Sequence, residues 1–357
     1  MSGDPSPPSS GIPEPTSDAA ASQQEPGDDS KPASDATRGL VRKVLVASLL
    51  GGAAFVALAA FADLETTLHA LGSYPLSWLA LSFALAAGNY ALRIVRWELY
   101  LRALGVRVPL GESCLVFLAG FVMSVTPGKI GEVFKSLLLS ESRGVPIART
   151  APIVIAERLT DVAALVLLIA LGSLSFPRGL WIAVAGALGV ALLVTLVTSR
   201  RLARRVIALA SRTRIGARAA PRIEIAYESL RELSRPRLLA SATAIAVVAW
   251  GLECLSLHVI LLGFGDDPTL LQSTFAYAAS TMVGAVAMLP GGLGLTEASM
   301  TGLLLALREG MPRVVASGAT ILTRLATLWF AVGLGAVAFA SLRFVRSRPR
   351  APEGPES

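Results

Sequence analysis

Apolar residues fill this chain in long runs rather than in stripes, and short polar joints separate the runs. An α-helix needs about 20 apolar residues to cross a bilayer. Six segments reach or approach that length, at about 42–62, 76–95, 150–173, 180–198, 238–262 and 314–342, and each is expected to be a spanning helix. Two further apolar regions, 111–140 and 270–307, are interrupted by Pro-Gly. In the first, the sixteen residues LGESCLVFLAGFVMSV run into the turn TPGKIGE and then into about ten more apolar-rich residues. At 1.5 Å per residue, arms this short do not cross about 30 Å of hydrocarbon. The pattern therefore predicts re-entrant pairs, one half-helix in, a turn, and one half-helix out. The expected fold is an all-α integral membrane bundle of about six spanning helices plus two re-entrant helical hairpins broken at Pro-Gly.

Composition narrows the class. The chain is 53% hydrophobic and 16% charged, with mean hydropathy +0.62, whereas soluble domains carry about 25% charged residues. Residues 1–38 are rich in Pro, Ser, Asp and Gly and lack apolar periodicity, so they are expected to form a disordered cytoplasmic tail. They are too long and too acidic for the basic start of a signal peptide, and the first apolar run is expected to stay as an anchor. A second disordered tail is expected at 347–357, leaving 39–346 as one transmembrane domain. Cys114 and Cys254 lie in apolar runs and read as small buried hydrophobes. With two histidines, two cysteines, no metal-ligand spacing and no Walker loop, no metal, cofactor or catalytic residue is expected. Nucleic acid is not an expected partner.

Basic residues orient the runs. Arg42 and Lys43 precede the first; Arg93, Arg96, Arg102 and Arg107 follow the second; Arg343, Arg346, Arg348 and Arg350 follow the last. The stretch 200–237 carries eleven arginines against three glutamates, and reads as a cytoplasmic linker or a helix lying on an anionic lipid surface. The opposite loops hold Asp63, Glu65, Asp266 and Asp267, with Arg308 and Arg313 as exceptions. Both termini are then expected in the cytoplasm, provided each broken region returns to the side it entered from. The expected location is the bacterial cytoplasmic (inner) membrane.

The two broken regions resemble each other. VTPGKIGEVFKSLLL at 125–139 matches LPGGLGLTEASMTGLLL at 289–305. Both hold Pro-Gly-x-x-Gly (Pro127, Gly128, Gly131; Pro290, Gly291, Gly294), a glutamate shortly after (Glu132; Glu297) and a leucine run. The following span carries Arg158 in one half and Arg324 in the other, 31 and 34 residues past the proline. By the charge count, repeat A (about 76–173) and repeat B (about 238–342) are inverted relative to each other. Inverted repeats with broken helices are characteristic of alternating-access transporters. Irregular backbone at membrane depth is tolerated where it is buried in protein or lines a wet cavity.

Charges at membrane depth support such a cavity, because each would cost at least about 2.5 kcal/mol facing lipid at the bilayer centre. With the turns, they define the candidate substrate-binding set: Pro127, Gly128, Lys129, Gly131, Glu132, Lys135, Glu157, Arg158, Asp161, Glu253, Pro290, Gly291, Gly294, Glu297 and Arg324. Arg158 and Asp161, spaced i,i+3, are expected to pair. The competing reading is that these charges only tie helices together. His258 reads as a packed or hydrogen-bonded residue, and Trp97, Trp181 and Trp329 as interfacial anchors or packing.

The segments TPGKIGEVFKSLLL, AERLTDVAALVLL, LPGGLGLTEASMTGLLL and TRLATLWF resemble the lysylphosphatidylglycerol synthase transmembrane family, over about 42–345. The resemblance implies a flippase-like domain, which in bifunctional members precedes a soluble aminoacyl-transfer domain. The chain stops at Ser357, so that synthase activity is not expected here. The implied function is movement of a phosphate-bearing lipid, aminoacylated or polyprenyl-linked, alongside a glycosyltransferase or aminoacyltransferase partner. The alternative is a membrane-embedded accessory subunit or transferase in lipid modification, with buried glutamates as bases. PGGLGLTE lacks the lysine of PGKIGE, so the two half-sites are not expected to be chemically equivalent.

Overall fold

A computed structural model describes residues 64–125, 132–176, 179–198, 225–287 and 289–346. The two expected tails, the first apolar run, the turn residues Pro127, Gly128, Lys129 and Gly131, and residues 199–224 of the basic stretch lie outside the described residues.

All regular structure among the described residues is helical. The first half holds α1 (Leu64–Gly72), α2 (Leu76–Ala103) and α3 (Leu110–Ala119), the last extended by a 3-10 turn, Gly120–Val125. It continues with α4 (Phe134–Arg143), α5 (Ile147–Thr150), α6 (Pro152–Ser173) and α7 (Gly179–Thr198). After a short helical segment at 225–233 come α8 (Pro236–Gly263), α9 (Leu270–Val286), a 3-10 turn at Pro290–Gly292, and α10 (Leu295–Leu307). A last long helix comprises α11 (Arg313–Arg324), a π-helical stretch (Leu325–Trp329) and α12 (Phe330–Arg346). The helices Leu76–Ala103, Pro236–Gly263 and Arg313–Leu342 are long and apolar enough to cross a bilayer. The chain is an all-α membrane protein.

Helices α2 and α8 are matched elements, each of 28 residues. Both end in a left-handed glycine, Gly105 (φ 70°) and Gly265 (φ 77°). Both close with the same pair of bonds: Val106 N–H to Leu101 C=O at 2.9 Å with Gly105 N–H to Arg102 C=O at 3.0 Å, and Asp266 N–H to Leu261 C=O at 3.1 Å with Gly265 N–H to Leu262 C=O at 2.9 Å. Among the described residues the two helices pack against each other more extensively than any other pair. Ser82 meets Ser256 at 2.5 Å, and Asn89 Nδ2 donates to the Ala249 carbonyl at 2.8 Å. As residue numbers rise along α2, those of their partners fall along α8, so the helices are antiparallel. The hairpin following α2 therefore starts at the opposite end of the bundle from the one following α8.

Each hairpin also returns to its own end. Arg143, closing α4, donates through Nε to Glu112 Oε2 at the start of α3, at 2.9 Å. Arg308, just past α10, donates to Asp266, just before α9, at 2.7 Å. Arg308, an exception in the charge count, is thus the clasp of the second hairpin. The repeats then exchange partners. α6 of repeat A packs along α9 of repeat B, and α12 of repeat B packs along α3 and its 3-10 turn. Glycine makes both contacts close. A Cβ on Gly172 would lie 2.7 Å from the Phe275 nitrogen, and one on Gly335 would lie 2.7 Å from the Val122 nitrogen.

Two expectations need correction, and a third is narrowed. α2 runs eight residues past the expected end at 95, because LRIVRWELYLRA keeps helical period and finds polar partners inside the protein. Arg96 is fully buried and Arg93 packs against Phe121 and Trp250, so both are enclosed by the protein rather than lying on a free flank. Of the two readings of Trp97 it is packing that holds: the ring is fully buried, with Nε1 donating to Ser113 Oγ at 3.1 Å. Residues 64–72, read as a loop, form α1 and pack on α11.

Overpacked backbone contacts cost about 1–3 kcal/mol. Gly172→Ala and Gly335→Ala should each lower the thermal unfolding midpoint of the protein in detergent. Gly302→Ala in α10, where a Cβ would meet open space, should leave it unchanged or raise it.

Candidate functional site

The described turn of the second hairpin shows how a site is built at a helix break. Gly291 (φ 60°), Gly292 (φ 69°) and Gly294 (φ 87°) take backbone conformations that side-chain-bearing residues rarely adopt. The turn's exposed backbone groups are met by side chains, as backbone inside a membrane requires. The Gly294 N–H donates to Glu297 Oε2 at 2.7 Å. The other oxygen of Glu297 accepts from Arg324 Nε at 2.6 Å, and Arg324 Nη2 donates to the Gly291 carbonyl at 2.6 Å. Glu297 and Arg324 are both buried. Arg324 of α11 thus holds the turn from outside the hairpin.

Repeat A makes the corresponding pair. Glu132, just past the undescribed turn, accepts from Arg158 of α6. Arg158 also lies 3.8 Å from Asp161, the expected i,i+3 pair. Asp161 has a closer partner, Arg96, at 2.7 Å, and its Oδ1 also accepts from Trp250 Nε1 of α8 at 3.1 Å. A chain of charge from Glu132 through Arg158 and Asp161 to Arg96 is therefore tied to the second repeat.

Glu132, Arg158 and Arg324 of these pairs face one cavity of about 720 Å³, including space open to the outside. Its charged lining among the described residues is Arg93, Arg158 and Arg324 against Glu132 and Glu253. Tyr90, Trp250 and Tyr277 supply most of the aromatic wall, with Phe121 beside Arg93. The π-helical stretch after Arg324 contributes Thr327, whose carbonyl accepts from the Tyr90 hydroxyl. Such widened turns recur at functional sites.

Of the candidate set, Glu132, Arg158, Glu253, Gly291 and Arg324 line the cavity. Glu297, Gly294 and Pro290 stand behind it in the second turn, and Asp161 supports it through Arg96 and Trp250. Lys135 and Glu157 belong elsewhere. They pair at 2.6 Å, both buried, with the Lys135 ammonium 4.7 Å from the ring centroids of Trp97 and of Phe117. That box sits in the apolar core of α2, α3 and α6, not on the cavity. His258 is hydrogen-bonded, with Nδ1 3.2 Å from Ser273 Oγ. Among the described residues, no cluster of side chains fits a metal ion.

Sequence reading missed Arg93, Tyr90, Trp250 and Tyr277. One signal was available. Arg93 lies twelve residues before Gly105, and Glu253 twelve before Gly265, so aligning the helix-ending glycines superposes the two charges.

Fold and site together define a class: an all-α membrane protein built as two oppositely directed helical repeats, each with a broken hairpin, around a central charged cavity. The sequence matches the lysylphosphatidylglycerol synthase TM region over residues 44–335, and the chain belongs to that family. It is similar to a UPF0104 membrane protein of Pyrococcus horikoshii, 25% identical over 305 residues, covering 78% of this chain and 90% of the relative. A UPF0104 membrane protein of Methanothermobacter thermautotrophicus is 24% identical over 286 residues, covering 74% and 84% respectively.

Removing one partner of a buried ion pair typically costs about 3–5 kcal/mol, because the other charge is left bare. Lys135→Met should destabilise the protein by that order in chemical unfolding. Adding Glu157→Gln should recover most of the loss, which a double-mutant cycle would measure.

Proposed function

We propose that this protein is a lipid translocase that moves a phosphate-bearing amphiphile, aminoacylated or polyprenyl-linked, across the cytoplasmic membrane by alternating access. The observation that carries this reading is the pair of hairpins entering from opposite ends, each held by an arginine–glutamate contact at one shared cavity. Arg158–Glu132 fastens the first hairpin to α6, and Arg324–Glu297 fastens the second to α11. A headgroup phosphate competes with each glutamate for its arginine. Loosening one hairpin while the other stays fastened would open the cavity to one side at a time.

The site also answers the energetic problem of a phosphate at membrane depth. Three arginines replace the water the headgroup gives up, and the aromatic wall accepts its apolar margin. Acyl or prenyl chains would remain in the surrounding lipid, so a cavity of this size need hold only the headgroup. In this reading both termini are cytoplasmic, and a glycosyltransferase or aminoacyltransferase makes or consumes the lipid.

Reconstituted vesicles carrying a phosphate-bearing lipid with a fluorescent headgroup give the test. Chemical quenching from outside reports headgroup movement. Arg158→Gln and Glu132→Gln should each slow it by about tenfold or more, the scale of a lost charge-assisted contact. Wild-type rates in both variants, at normal insertion, would exclude the first pair from the mechanism.

A further inference from the structure

Two charges in the cavity differ from the rest. Glu132, Arg158 and Arg324 each have an opposite charge in contact. Arg93 and Glu253 have none within ion-pair reach among the described residues. They occupy corresponding positions of the antiparallel helices α2 and α8, each eight residues before the carbonyl that caps its helix, Leu101 or Leu261. The repeat has thus placed one cation and one carboxyl at equivalent sites on the cavity wall.

Their surroundings are built. The Arg93 guanidinium stands 5.5 Å from the Phe121 ring centroid and 5.9 Å from that of Trp250. Its Nε is buried without a hydrogen-bond partner among the described residues. Glu253 is buried and accepts from the Tyr277 hydroxyl. Every element packed on α8 presents a group to it: Arg93 and Tyr90 from α2, Asp161 from α6, Tyr277 from α9 and Arg324 from α11.

We propose that Arg93 is the anion hook of the cavity and that Glu253 is a proton site coupled to it, so that an anionic headgroup binds together with one proton. Wherever the Glu253 carboxyl is ionised in the empty cavity, it balances Arg93 across the space between them. An arriving anion takes over that balance. The carboxylate, now beside a second negative charge, takes up a proton from the buffered solution. One negative charge and one proton enter together, so no net charge is added at membrane depth, where net charge is costly. That both lack an opposite charge in contact among the described residues, at equivalent positions of the two repeats, is what singles them out. This inference rests on the reading of the cavity as a headgroup site, though not on transport.

The probe is dihexanoyl phosphatidylglycerol, whose phosphodiester keeps its charge between about pH 5 and about pH 8. Binding to the purified full chain in detergent is measured calorimetrically in buffers of different ionisation enthalpy, which counts the protons exchanged. In the wild type, binding should take up close to one proton and tighten toward tenfold per unit fall in pH across part of that range. Glu253→Gln keeps an acceptor for Tyr277 and imitates the protonated state. It should bind the probe without proton uptake, at an affinity independent of pH. Arg93→Gln should lose most of the binding. Proton uptake that persists in Glu253→Gln, probe binding without uptake in the wild type, or no binding at all would overturn the proposal. Coupled binding by a protein that moves no lipid in vesicles would retain it and reject the translocase.

Discussion

Inside a membrane, any backbone that leaves the helix, and any charge that leaves water, has to be satisfied by the protein itself. Much of the architecture follows from how the two arginine–glutamate contacts meet that demand. At the second turn, Arg324 and Glu297 take up the Gly291 carbonyl and the Gly294 N–H that the break exposes. The same two side chains neutralise each other. One contact thus permits the break, fixes the hairpin's depth and brings a cation to the cavity wall. In repeat A, Glu132 and Arg158 repeat the contact across the equivalent elements.

A second layer of polar contacts lies behind the first and serves a different purpose. Asp161 joins Arg96 of α2 to Trp250 of α8, and the Lys135–Glu157 pair is enclosed by aromatic rings. Such groups set register between helices that are otherwise smooth and apolar. Burying them costs desolvation, so they specify an arrangement more than they stabilise it. The cavity charges stand apart from this layer because they face open space.

The break of the second hairpin and the matched motifs were legible in the sequence, because Pro-Gly-x-x-Gly stands out against an apolar background, whereas the pairing of each glutamate with its arginine was not singled out. The arm lengths of the first hairpin were legible too, at 110–125 and 134–143. Arg93 and Arg96 were read as a flank because a charged helix end and a flank have the same composition, and only tertiary partners show that the protein encloses both. Lys135 and Glu157 could not be told from cavity residues, since depth in the membrane is readable from sequence while the direction of a side chain around its helix is not. Tyr277 and Trp250 carried no signal, being aromatic residues in apolar runs.

One helix has no counterpart in the second repeat. α7 follows α6, and its flank is exposed and greasy, with Trp181 75% exposed and Leu188 67% exposed. Its value is one of parity. The end of α2 and the start of α8 lie at the same face of the molecule, where Arg149 bonds the Leu104 carbonyl and reaches Glu232 at 3.6 Å. Since the first hairpin doubles back, α6 alone would deliver the chain to the wrong face, and the second repeat would run in the same direction as the first. An even number of passes between the two hairpins, α6 and α7, preserves the opposition of the repeats. α7 supplies the second pass, so its length is constrained more tightly than its sequence.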